Sequence, residues 1–407
     1  MSISSIRTLL LYAEYTTRLS YYDDWTEAFE RSPRLLVKKI NICQKGILSE
    51  LKKEVAETDL IILLHSTNGD TTIYLEPFAK ILADRRGALV SFVGNEVNLP
   101  GSPVRAKRDV LGVIEPDFIA TQLPLEAGEF LWGDLVRKSV LAVPHALNPD
   151  AFYPVVADAD RAIDIGVRAV RYLPHLGDHE RNNLHDLFAS PEMAKKGLNV
   201  NISTERLNRK GWAEFLNNCR GTVSSEAGSW WVEPDDAIIN EIRKWTAERT
   251  KGKVLVIPND SPLRKIGHKL PWKLRALLKK VLSSGVVQHE SSLNEQMEFS
   301  EIYETFFEGR PRPGFYAKCI SSRHFDAIGT QTCQILVNGR YNDILKADEH
   351  YISLAPNYSN LGDVLDRFSD APYRQNIARN AHQYVMDYHT YDRRIAELLG
   401  AIEANND

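Results

Sequence analysis

The chain has 407 residues, 43% hydrophobic and 26% charged, with 50 Lys and Arg against 54 Asp and Glu for a formal net charge of -4. That balance excludes a largely disordered, collagen-like or disulfide-scaffold chain, and it leaves no basic excess for gripping nucleic acid through its phosphates. The length exceeds what one ordinary core serves, so two α/β-sized domains are expected.

Short apolar runs alternate with helical patterns from the N-terminus. Thr8–Ala13, Leu35–Ile40, Leu60–Leu64, Leu89–Val93, Phe118–Thr121 and Val140–Val143 have strand length, and most are continuously apolar, as for parallel strands covered on both faces. Between them, Ile47–Ala56 carries Ile47, Leu48, Leu51 and Val55 on one side, and Tyr74–Ala83 and Leu125–Val136 repeat the helical pattern. Residues 1–150 are therefore expected to form a doubly wound, Rossmann-like domain, with Pro144–Pro154 leading out of it as a connection. In the second series Ala162–Val167, Leu198–Ile202, Gly221–Ser225, Cys333–Val337 and Tyr351–Leu354 read as strands, and Asp178–Phe188, Trp212–Asn218 and Ser322–Gly329 as helices. Residues 235–310, with helical patterns at Ala237–Thr250 and Trp272–Leu282, are expected to be an insertion. Leu361–Phe368, Tyr373–Tyr388 and Arg393–Glu403 close the chain as helices. The expected fold is α/β, with two Rossmann-like doubly wound domains (1–150 and 151–390) facing a cleft, and a terminal helix over 391–407.

Cys43, Cys219, Cys319 and Cys333 are widely separated, with no C-x-x-C pair, which fits a reducing cytosol and argues against a zinc site. The runs Leu9-Leu10-Leu11 and Leu60–Leu64 fall far short of the roughly 20 residues of a spanning helix, and no signal-peptide core is evident. A cytoplasmic protein without a transmembrane segment is expected; peripheral contact with a membrane stays open.

Ligands of open α/β sheets sit outside the carboxyl ends of the strands, so site residues are sought in the loops that follow them. No G-x-G-x-x-G follows the first strand, which disfavours a dinucleotide there. The loop instead contains Ser20-Tyr21-Tyr22-Asp23-Asp24-Trp25. Tyr21, Tyr22 and Asp23 suit stacking on a sugar face and accepting its hydroxyl protons, and Asp24 suits a general base; the alternative is that Asp23 or Asp24 caps a helix Trp25–Phe29. His65 and Glu96 stand just past two buried strands and are further candidates for proton handling, against a structural histidine and a solvated carboxylate.

Arg168 and Arg171 stand at a strand end, placed to hold a diphosphate through parallel hydrogen bonds or to make surface ion pairs. Glu226, Gly228 and Ser229 follow another strand in a small, glycine-bearing tract that admits a ligand closely. Ser322, Arg323 and Asp326 open a helix whose N-terminal amides favour an anion. Arg323 could meet a phosphate and Asp326 both hydroxyls of a ribose, or the two could simply pair at i,i+3. Asp158-Ala159-Asp160 spells a D-x-D but lies in the connection, and no G-K-[ST] accompanies the Gly329–Gly339 pair.

With these residues in view, the sequence resembles the glycosyltransferases of the GT-B fold, and within them the bacterial spore-maturation, CgeB-like group found in polysaccharide gene clusters. Arg323-His324-Phe325-Asp326-Ala327-Ile328-Gly329-Thr330 is similar to that group's R-x-F-E-A-x-A-x-G segment. Tyr341-Asn342-Asp343-Ile344-Leu345, His350-Tyr351-Ile352 and His389-Thr390-Tyr391 follow in order, and Ser20–Trp25, Val143–Asn148, Asp164-Ile165-Gly166 and Glu226–Ser229 precede it. The resemblance implies a nucleotide-sugar donor in the second domain and an acceptor in the first, with Asp326 at the acidic position that contacts the donor ribose. Asp in place of Glu reaches one methylene less far. Lys318 stands where the E-x7-E pattern of related retaining enzymes has its first Glu, which leaves the anomeric outcome open. The family implies no bound metal and no cofactor beyond the nucleotide sugar as co-substrate.

The expected function is transfer of a sugar from a nucleotide-diphosphate-sugar to a glycan or other hydroxyl acceptor, in surface polysaccharide or glycoconjugate synthesis. Arg168, Arg171 and Arg323 would offset charge on the departing diphosphate, while Asp24, His65 or Glu96 would deprotonate or orient the acceptor hydroxyl. The alternatives are a two-domain sugar-nucleotide epimerase or hydrolase, and a non-catalytic nucleotide- or sugar-binding protein.

Overall fold

The computed structural model describes residues 5–14, 20–250, 255–257, 287–289 and 297–405. The first sheet comprises β1 (Ile6–Tyr12), β2 (Leu35–Asn41), β3 (Leu60–Leu63), β4 (Ala88–Phe92), β5 (Phe118–Thr121) and β6 (Ser139–Ala142), in the order β2-β1-β3-β4-β5-β6. Every pairing in it is parallel. Successive residues of its central strands serve opposite faces: Leu9, Leu11, Ile61 and Leu63 join one apolar cluster, Leu10 and Ile62 the other. The second of these faces is covered by Trp25 and Phe29 of the helix Ser20–Arg31 and by Tyr391, Ile395, Leu398 and Ile402 of the last helix, Tyr391–Ala404. The chain's end therefore crosses back to complete the core of its beginning.

The second half contains β7 (Ile163–Arg168), β8 (Val200–Ser203), β9 (Cys219–Ser224), β10 (Ala227–Gly228), β11 (Leu255–Ile257), β12 (Val287–His289), β13 (Lys318–Cys319), β14 (Cys333–Val337) and β15 (Ile352–Leu354). Five of them form a parallel sheet in the order β15-β14-β9-β7-β8, while β10 pairs antiparallel with β13 and β11 pairs parallel with β12. In both large sheets the first strand lies between the second and third. The order reverses between β1 and β3 and between β7 and β9, and each reversal opens a crevice at the strands' carboxyl ends.

Several local expectations are corrected. Asp23 and Asp24 lie inside the helix Ser20–Arg31, which begins ahead of them, so neither caps it. Tyr74–Ala83 is not one helix, because Pro77 confines the chain to a 3-10 turn, Glu76–Phe78, before the short helix Ala79–Ala83. The helix of Leu125–Val136 stops at Trp132 and gives way to a 3-10 turn at Gly133–Leu135. A helix at Val104–Ile114 went unforeseen, and its cap comes from the other half of the chain: the Asp236 carboxylate accepts from the amides of Arg105 at 2.8 Å and Val104 at 3.2 Å. Trp272–Leu282 lies outside the described residues. Among those described, no helix is long and apolar enough to cross a membrane.

Candidate active site

The two halves meet around a cavity of about 480 Å³. Asp70 and Asn95 line it from the first half; Arg168, Arg206, Trp212, Ser322, Arg323 and Asp326 line it from the second. Arg168 ends β7, Arg206 follows β8, and Ser322 and Arg323 open the helix Ser322–Gly329, so the wall is built from strand ends and a helix N-terminus.

Arg168 lays its guanidinium 3.9 Å from the centre of the Phe215 ring and receives a hydrogen bond from Arg323 at its backbone carbonyl. Phe215 stacks on Trp212, whose indole donates to Asp326 Oδ2 at 2.9 Å. The cations and the carboxylate are thereby held by one packed relay. Arg168, Arg181, Arg206 and Arg323 form no ion pair with any described carboxylate. Arg323 is lowered to about 10, by burial first and then by repulsion from Arg181, with Arg206 adding to it. Asp326 is raised well above its ordinary value by burial and by the nearby Asp24 carboxylate, against the opposing pull of Trp212 and Arg323. His324 is lowered to about 3, burial first, and so is neutral; its Nδ1 accepts from the Ser321 amide at 3.0 Å at the head of the helix. A surplus of guanidinium charge at a helix N-terminus is chemistry that receives an anion.

The opposite wall is braced by buried polar groups. Asn68 donates to the Phe92 carbonyl at 2.8 Å and accepts from the Gly94 amide at 3.0 Å, tying the loops after β3 and β4 together. Lys107, 2% exposed, donates to the carbonyl oxygens of Gly94 at 2.8 Å and Asn95. Asn95, held at φ 49, then donates to Asp70 Oδ1 at 2.7 Å.

The structure brings together Arg168, Ser322, Arg323 and Asp326 of the residues singled out from sequence. The other described ones stand elsewhere. Arg171 makes a bidentate surface pair with Asp186 at 2.7 Å. Glu226 is buried, accepting from the Tyr341 amide at 2.6 Å and from the Tyr316 hydroxyl. Gly228, at φ 104, pairs with Lys318, and a Cβ there would lie 2.8 Å from the Ala317 carbonyl. Ser229 donates to Leu176 O at 2.7 Å and accepts from the Trp231 amide at 3.0 Å. These three brace the loop after β9 rather than face the cavity.

Glu96 is spent on internal donors: the Thr121 hydroxyl at 2.6 Å, the Gln122 amide at 2.7 Å and the Trp132 indole at 2.8 Å. His65 has no exposure and lies among the rings of Trp25, Phe92 and His145, where burial lowers it well below its ordinary value. Asp24 is 1% exposed and accepts from Arg209 at 2.8 Å and Asn148 at 2.7 Å, which makes it a clasp between the halves. Asp23 is exposed on the same helix, and the side chains of Tyr21 and Tyr22 lie outside the described residues. Asp158 of the D-x-D is bound by Arg374 at 2.5 Å and 3.1 Å.

Reading from sequence placed Asn95 past a strand end beside Glu96 without giving it a role, and it did not single out Asp70, Arg206 or Trp212. Asp70 ends the polar run that follows β3, five positions after His65, and a strand boundary alone does not say which member of such a run reaches the crevice.

Two doubly wound α/β domains facing a cleft, with the terminal helices at the chain's end, define the GT-B class of architecture. No protein-family profile and no curated sequence matches the chain. Among solved structures it is similar to Anabaena Alr3699/HepE in complex with UDP and glucose, at 11% identity and a TM-score of 0.48, over 97% of this chain and 100% of that one. It is also similar to TarM, at 9% identity and a TM-score of 0.41 over 86% of this chain and 56% of that one. For a UDP-N-acetylglucosamine 2-epimerase the values are 10% and 0.40, over 99% and 97%. Likeness this distant concerns the backbone, and the function rests on the side chains of the cleft.

Proposed function

We propose that the protein is a glycosyltransferase that takes a sugar from a nucleotide-diphosphate donor bound in the second half and delivers it to a hydroxyl of an acceptor entering from the first. The observation that carries this reading is the group of guanidinium groups without an ion-pair partner among the described carboxylates, Arg168, Arg206 and Arg323, around one cavity beside Asp326. Their charges repel one another in the absence of an anion and would stabilise the diphosphate as it departs with the bonding electrons of the glycosidic bond. In this reading the guanidiniums, rather than a metal ion, take up that charge. Asp326 is the ribose contact, with Trp212 holding one of its oxygens so that the other faces the ligand. Asp70, fixed by Asn95 across the cleft, takes the place first considered for Asp24, His65 or Glu96 and receives the acceptor's proton. The sequence resemblance to CgeB-like enzymes supports a glycan acceptor.

Calorimetry with uridine, guanosine and adenosine diphosphates tests the donor site. At least one should bind, and Arg323→Ala should weaken it about tenfold or more through loss of a charge-assisted contact. Unchanged binding of every diphosphate to Arg323→Ala would sink the assignment. A product assay with and without acceptor separates transfer from epimerisation or hydrolysis, which consume the donor alone.

A further inference from the structure

A second cavity, of about 270 Å³, opens beside the edge strand β15 and shares no lining residue with the cleft. We propose that it is a saccharide-binding site, holding one neutral sugar ring against Trp230 with Glu180 accepting its hydroxyl protons. The inference goes beyond the cleft reading and does not rest on it.

The argument begins with the aromatic walls. Trp230 is half-buried and is fixed edge-on by Tyr316, with ring centroids 4.8 Å apart and 81° between planes. Tyr303 and Tyr358 line the same space. Tyr358 is held at φ 58, a left-handed backbone that a bulky residue rarely adopts, and its amide is tied to the Ala355 carbonyl at 2.8 Å. Strained residues of this kind collect at ligand-contacting loops. Rigid aromatic faces of this sort suit the C–H face of a pyranose.

The charges narrow the ligand further. Buried Lys318, its side chain 3% exposed, bonds Asp178 at 2.9 Å and Glu180 at 2.8 Å. Arg312 is exposed, with its guanidinium over the Trp230 ring at 5.0 Å from its centre, and Lys318 Nζ lies over the same ring at 5.4 Å, so a sugar reaches the face of Trp230 by displacing the exposed Arg312 side chain to the rim. Two carboxylates and two cations cancel, so the pocket selects neither an anion such as a nucleotide nor a cation. Hydrogen-bonding capacity nevertheless remains. Glu180 spends Oε2 on Lys318, is only partly buried, and has Oε1 left to accept, while Arg312 can donate from the rim. A neutral ring with hydroxyls on its edge and C–H groups on its face meets all of these conditions.

The test is saturation-transfer NMR on the full chain with methyl glycosides of glucose, galactose and N-acetylglucosamine, run beside calorimetry with uridine diphosphate. At least one glycoside should bind saturably, and Trp230→Ala and Glu180→Gln should each weaken it about tenfold. Nucleotide binding should persist in both variants, and Arg323→Ala should leave glycoside binding intact. The proposal is overturned if no glycoside binds, if Trp230→Ala leaves glycoside binding unchanged, or if it abolishes nucleotide binding instead, since the pocket would then be a base site. Should Trp230→Ala fail to fold, Trp230→Phe keeps a ring but shortens the platform and must still weaken the glycoside. Loss of nucleotide binding in the wild type with glycoside binding retained would count against the cleft reading alone.

Discussion

Replacing Arg209 with Ala removes the cation that joins the halves at Asp24. Arg209 heads the helix Arg209–Asn217, donating to Asp24 Oδ1 at 2.8 Å and to the two oxygens of Glu27 at 2.6 and 2.9 Å. The Asp24 side chain is 2% exposed, against 30% for Arg209, so the carboxylate has no water to fall back on. Burial raises Asp24 from 3.8 to about 6 even though Asn148 and Arg209 hold it down. The folded form thus binds a proton more readily than the unfolded one. Stability contributed by this group falls as pH rises from about 4 to about 6, by about 3 kcal/mol in total, and is level above that. Without Arg209 the folded value climbs further and the fall continues past neutrality. At pH 5 Asp24 is mostly protonated in both proteins, and the variant loses about 1 kcal/mol, chiefly from the half-exposed Glu27 pair and one hydrogen bond. At pH 7.5 a buried carboxylate is stranded and the loss is about 3 kcal/mol. Urea unfolding of wild type and Arg209→Ala at the two pH values measures both. Equal losses at pH 5 and 7.5 would refute the account, because they would show Asp24 to be solvated or already neutral in the wild type.

Two further substitutions probe the scaffold. Asp236→Ala removes the acceptor for the first amides of Val104–Ile114 and the partner of the Asn98 amide at 2.6 Å; thermal unfolding should show a loss of about 1–2 kcal/mol, and an unchanged midpoint would mean that the helix needs no cap from the other half. Gly339→Ala would place a Cβ against the Glu226 carboxylate and push it from the Tyr341 amide; a loss of about 1–3 kcal/mol is expected, and a fully stable variant would show that Glu226 does not brace this loop.

The strands were legible because a parallel strand between two helical layers must be apolar on both sides. Cys333–Val337 and Phe118–Thr121 have the bounds expected from their sequence, and the rest of both large sheets shifted by a residue or two. The site was only half legible. The sequence shows that Arg168, Arg171, Glu226 and Arg323 follow strands or open a helix, but not which charges find partners when the chain folds. Arg171 meets Asp186, fifteen positions on in the helix Glu180–Phe188; Arg206, in the loop after β8, meets no described carboxylate. Glu226 and Glu96 look like loop carboxylates in the sequence, yet each is buried under hydroxyl, indole or amide donors contributed by distant segments.

What separates the cleft from the rest of the protein is how charge is settled. Buried or half-buried acids elsewhere end on a donor: Asp158 on Arg374, Asp24 on Arg209, Glu96 on Trp132. Around the cleft the opposite holds, since Arg168 is anchored through an aromatic ring and Arg323 through a backbone carbonyl. Both anchors fix the position of a guanidinium without neutralising it. An ion pair would have fixed the same side chains while cancelling the field they project into the cavity. Positioning by neutral contacts is how a fold keeps cationic charge in place for a ligand that must arrive and leave, and it is found here at the strand ends and helix start where the topology opens its crevice.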